Sequence, residues 1–127
     1  MQATPQNGEG PGDILVVRIE GPHGFQQAVE RVAAVLSEVA DARITRLLID
    51  GSGVSGFESP SIAARHEMAR TWAAAAQGRV RVAFVVPGRY IDEERFGVVA
   101  GRNFGFKSGV FESVEEAREW LEAFTYE

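Results

Sequence analysis

Cysteine is absent from the 127 residues, so the chain has no disulfide, no thiolate metal ligand and no thiol nucleophile. Only two histidines are present, His23 and His66, which narrows the metal options further. Positive charge is short as well: 13 Lys and Arg against 18 Asp and Glu leave a net charge of -5. That balance offers no general attraction to nucleic acid or to an anionic membrane surface. The longest apolar runs fall well below the roughly 20 residues that span a bilayer. No signal-peptide pattern opens the chain. These absences point to a cytoplasmic protein without a transmembrane segment. What is there is ordinary for a globular domain, at 45% hydrophobic and 24% charged residues. A chain of this length buries about two-thirds of the surface its unfolded form exposes.

Met1 to Asp13 carries Pro, Gly, Gln and Asn without apolar periodicity. It reads as a flexible lead-in with a short edge strand near Gln2–Thr4, and residues 14–127 as one domain. Ile14–Ile19 is a β-branched run that predicts a buried strand ending at Gly21-Pro22. Phe25, Val29, Val32, Leu36 and Val39 recur at helical spacing. Arg43–Asp50 returns to a strand whose apolar end predicts a central, parallel position. A helix is expected from Ser59 to about Gln77 with Gly78 as its cap, then a strand over Val80–Val86. Asp92–Asn103 reads as a helix weakened by Gly97 and Gly101, and Lys107–Phe111 as a short strand. Ser113 and Glu116 form a capping box that opens the last helix. The expected fold class is therefore α/β, a mostly parallel four- to five-stranded sheet with alternating helices.

Asp50-Gly51-Ser52-Gly53-Val54-Ser55-Gly56 reads as a glycine-rich turn between a strand and a helix N-terminus. In open α/β sheets ligands sit beyond the carboxyl ends of the strands, where strand order reverses. That rule selects this turn, with Pro87–Tyr90 beside it. Gly51-x-Gly53-x-x-Gly56 matches the dinucleotide fingerprint, but a helix starting at Ser59 comes too late for its N-terminus to meet a pyrophosphate. No acidic residue follows the next strand to hold a ribose. Ser59-Pro60 has a simpler role as N-cap and N1. His66 lies on the line Ile62, His66, Ala69, Ala73, Ala76, which would aim it inward or to the rim. No nucleophile elbow is present to join it to a serine. Asp92-Glu93-Glu94 suits the first turn of a helix better than a metal. The alanine-rich stretch Trp72–Ala76 offers a surface for self-association, so a homodimer is one assembly it permits.

The segment LLIDGSGVSGFESPSI resembles the phosphorylation segment of STAS domains, the sulfate-transporter and anti-sigma-factor-antagonist fold. Asp50, Ser52, Val54, Phe57, Glu58, Ser59 and Ile62 fall on positions of that pattern. The ending NFGFKSGVFESVEEAREWL is similar to the fourth strand and last helix of the SpoIIAA-like group. The likeness runs from about Ile14 to Phe124. It implies the STAS fold and a regulatory, protein-binding role. The phosphoacceptor position, however, holds Pro60, and the glycine after it is Ser61. Proline has no hydroxyl, so the usual phospho-switch has no acceptor there.

The leading expectation is a non-catalytic STAS-like module binding a protein partner or small anionic ligand through Asp50, Ser52, Glu58, Ser59, Ser61 and Arg89. No catalytic residue, metal or cofactor is assigned. A carrier of lipid or another apolar molecule is the alternative, needing a pocket between helices and sheet. A nucleotide-dependent enzyme or hydrolase is the third.

Overall fold

A computed structural model describes residues 2–5, 14–22, 24–55, 61–88, 102 and 104–123. Five strands, β1 (Gln2–Pro5), β2 (Ile14–Pro22), β3 (Arg46–Ser55), β4 (Arg81–Val85) and β5 (Lys107–Phe111), form one sheet. Three helices are described with them: α1 (Phe25–Asp41), α2 (Ile62–Ala76) and α3 (Val114–Glu122). The strands stand in sequential order, β1 antiparallel at the edge and β2 to β5 parallel. The α/β class and the parallel sheet follow the sequence reading, and the edge strand lies where Gln2–Thr4 predicted it. The helix expected over Asp92–Asn103 lies outside the described residues, apart from Arg102.

Alternation sorts each central strand between two cores. Leu47, Ile49, Val82 and Phe84 point to the side covered by α1 and α2, where Val29, Leu36 and Trp72 meet them. Ile14, Leu48, Ala83 and Val85 point to the other side, under Ala117 and Leu121 of α3. Both α1 and α2 lie on one face because strand order never reverses among these strands. This corrects an expectation. A sheet without a reversal has no splayed crevice between helices of opposite faces, so the switch-point rule has no purchase at Asp50.

The larger correction concerns the glycine-rich turn. Gly51 to Ser55 is not a turn but the second half of β3, paired with β2 as far as Pro22–Ser55. The register passes from Arg18–Asp50 to Glu20–Gly53, so β3 carries one residue more than β2 over that step. That is a β-bulge. A Cβ on Gly51 would stand 3.2 Å from the Val85 carbonyl oxygen, and one on Gly53 would stand 3.1 Å from the Glu20 Cβ. These glycines let the strand approach its own neighbours closely.

Helix α2 begins at Ile62, later than the expected Ser59, because Ser61 is the cap: its hydroxyl accepts from the Ala64 N–H at 3.1 Å. Its end is capped by Gln77 at φ 56° rather than by Gly78, which follows at φ 70°. The last helix opens as the capping box predicts, with the Ser113 Oγ accepting from the Glu116 N–H at 3.2 Å. The inward face of α2 is Arg65, Ala69, Trp72 and Ala76. His66 points outward, against the line drawn through it from sequence, and Trp72 belongs to the core rather than to an outer alanine surface.

Candidate functional site

The residues singled out around β3 divide into three groups. Asp50 and Ser52 are brought together. Ser61 is described but serves α2 as its cap. Glu58, Ser59 and Arg89 lie outside the described residues, as do Gly56 and Tyr90.

Asp50 is 7% exposed although it is charged. Three donors make that tolerable. Its Oδ1 accepts from the Ser52 N–H at 3.1 Å and from the Ser52 hydroxyl at 2.7 Å. Its Oδ2 lies 3.6 Å from Nε of Arg18 on β2. The arrangement has a local cause. The bulge takes the Ser52 N–H out of the β2–β3 ladder, and the side chain two residues earlier supplies the missing acceptor. Arg18 stands opposite Asp50 in the parallel register. It was not among the residues picked from sequence, yet a signal existed. ILVVR and RLLID each end an apolar run on one charge of opposite sign at the fifth place, and side-by-side alignment pairs them.

This geometry ties the ends of β2 and β3 together. The Ser52 proton is directed at a carboxylate whose other oxygen faces a guanidinium. The imidazole of His66 meets the Phe104 ring edge-on, with centroids 5.3 Å apart. Beyond β4, the Val86 N–H donates to the Phe111 carbonyl at 3.0 Å, and Gly88 lies against the Glu112 carboxylate. Val85 and Val86 lie against Gly51; of the expected neighbour Pro87–Tyr90, Arg89 and Tyr90 lie outside the described residues. Among the described residues, no three His, Asp or Glu side chains converge as metal ligands would. No described helix is long and apolar enough to cross a membrane.

Asp50→Ala is expected to lower stability by about 1–2 kcal/mol, two hydrogen bonds of roughly 0.5–1.5 kcal/mol each with a little from the ion pair. The pair adds little because Arg18 is itself 57% exposed. Asp50→Asn keeps an acceptor for Ser52 and loses about half as much. Urea denaturation of the two variants measures both, and equal losses would show that charge outweighs the bulge hydrogen bonds.

Beside this geometry, the comparisons with known proteins are negative: no protein-family model matches the chain, and no curated protein matches it.

Proposed function

We propose that the chain is a non-catalytic, cytoplasmic STAS-like module that binds a partner protein through the start of α2. One observation carries the reading. Ile62, the first residue of the helix after its Ser61 cap, is 66% exposed, and Phe104 is 40% exposed. Ile62 and His66 are one turn apart on one side of α2, and the Phe104 ring packs on His66, so the three make an outward apolar stripe. Isolated surface apolar residues are common, but a stripe bordered by exposed polar groups is what a partner's pocket fits. The resemblance to STAS domains agrees, because their regulatory phosphoacceptor lies in the turn entering this helix. With Pro60 at that position, contact rather than phosphorylation is the mode. The orientation of Ser52 and His66 toward different partners supports the absence of a hydrolytic pair. The apolar-carrier reading gains less, since Trp72 and Phe84 stack at 4.8 Å where its pocket would lie.

The test begins with cross-linking in the source cells, identification of the captured protein, and reconstitution from purified components. Ile62→Asp is expected to weaken that complex about 10–100-fold. Thermal stability should stay within about 2 °C, because the side chain is exposed. Equal affinity of wild type and Ile62→Asp would refute the reading. A wild-type dimer that Ile62→Asp dissociates would instead assign the stripe to a second copy of the chain.

A further inference from the structure

We propose that the outer edge of β5 pairs, antiparallel and across a two-fold axis, with the β5 edge of a second copy of this chain. β5 stands last in the sheet order and pairs only with β4. The Phe111 carbonyl accepts from the Val86 N–H, so the backbone groups of Phe111 are directed at β4. In a parallel ladder a residue bonds to one side through both its N–H and its C=O, and the side alternates along the strand. Gly109 and Lys107 therefore also bond inward, whereas Ser108 and Val110 present their N–H and C=O outward. Among the described residues, nothing bonds to these outward groups. This edge is distinct from the Ile62 stripe on α2.

Sheet edges are ordinarily blunted by a proline, a bulge or a charge amid the strand. β5 has none of these. Its register with β4 runs unbroken from Lys107 to Phe111, it holds no proline, and its one charge stands at its first residue. The opposite edge of the same sheet is different, because the four residues of β1 end in Pro5. Ser108, Val110 and Phe111 are half-buried, as in a strand with one side free.

The sequence of β5 selects the occupant, because the strand complements itself. Two antiparallel copies centred on Gly109 set Gly109 against Gly109, Ser108 against Val110, and Lys107 against Phe111. Ser108 and Val110 then form the hydrogen-bonded pairs in both directions, which satisfies every outward group. The two glycines meet at a non-hydrogen-bonded position, where Cα atoms stand only about 4.5 Å apart. Neither brings a side chain to obstruct that approach. Lys107 meets the Phe111 ring of the second copy, a cation–π pair on the face that α3 covers. In its own chain that ring already packs on Trp120, with centroids 5.6 Å apart, and lies over Gly109, so it is held in place. Parallel pairing would set Lys107 against Lys107, a destabilising contact. The antiparallel pair opposes no like charges and closes on itself, as a two-fold interface must. Five residues a side fall below the roughly 1,200 Å² of stable complexes, so the dimer is weak.

The experiment is analytical ultracentrifugation of the full chain from about 1 to 500 µM, where a monomer–dimer equilibrium with a dissociation constant of about 10–100 µM is expected. Ser108→Pro removes one outward N–H and leaves the β4 ladder whole, so it should weaken the dimer at least about tenfold. Circular dichroism of the dilute variant checks that it remains folded. Ile62→Asp should leave the dimer unchanged. Oxidation reads the register independently of the proline variant, since the chain has no cysteine of its own. Ser108→Cys and Val110→Cys chains, mixed, should cross-link to each other faster than either variant cross-links to itself, because only the mixed pair stands directly opposite. A wild type that stays monomeric to about 500 µM, or a folded Ser108→Pro that dimerises as tightly, would overturn the proposal. So would a dimer that Ile62→Asp dissociates, or same-site cross-links that form ahead of the mixed one.

Discussion

Trp72→Ala is expected to destabilise the protein by about 3–5 kcal/mol, the range for removing a buried aromatic side chain. Three separate interactions disappear together. The indole is buried between α1 and the sheet, and it stacks on Phe84 with centroids 4.8 Å apart and planes 18° apart. A stacked pair contributes about 0.5–1.5 kcal/mol beyond its area. The indole Nε1 also donates to the Val29 carbonyl at 3.0 Å, tying α2 to α1 by a bond that crosses the helix interface. The Val29 carbonyl keeps its bond within α1, so losing the indole donor removes one hydrogen bond, about 0.5–1.5 kcal/mol. Against a total of about 5–15 kcal/mol for a small domain, the loss is large, and the melting temperature should fall by about 10–20 °C. Trp72→Phe separates the terms. It keeps an aromatic ring on Phe84 and loses the bond to Val29, so a cost of about 1–2 kcal/mol is expected. A loss equal to that of alanine would show that the α1–α2 bond outweighs the stack.

Leu121→Ala is expected to cost about 2–5 kcal/mol, and to act first on α3. This helix has nine residues and buries only Ala117 and Leu121. Isolated helices shorter than about 12 residues are marginal in water, so α3 depends on docking as well as on its Ser113 cap. Leu121 is fully buried with Leu48, Ala83 and Val85, and a cavity there cannot be refilled by the methyl groups of two alanines. Urea denaturation gives the global loss. Native-state amide exchange should show α3 opening at lower free energy than the β3–β4 core, which wild type should not show to the same degree. A loss below about 1 kcal/mol would mean that α3 does not hold this face closed.

Much of the architecture was legible because its signals are local. Alternating or continuous β-branched runs placed β2 and β4, helical spacing placed α1, and the Ser113–Glu116 pair placed the start of α3 to the residue. Local signals misled where a long-range contact set the conformation. Gly-Ser-Gly after Asp50 has turn composition, yet β2 on one side and the Val85 carbonyl on the other keep it extended as a bulged strand. Ser59 and Ser61 are both competent caps by composition, and the helix takes Ser61.

Within the Asp50 stretch, Asp50 and Ser52 come together, and the cation beside them, Arg18, lies on another strand. Arg46, Arg81 and Lys107 are scattered over 62 positions from first to last and become neighbours only when parallel strands come into register. By itself, then, the sequence determined the α/β class, the order of the described elements and the capping of the last helix. Tertiary structure decided that the glycines serve strand contact, that His66 and Ile62 face outward, and which charges meet. The reason is physical: periodicity and capping act within a few residues, whereas register, close approach and charge pairing exist only between segments that folding brings side by side.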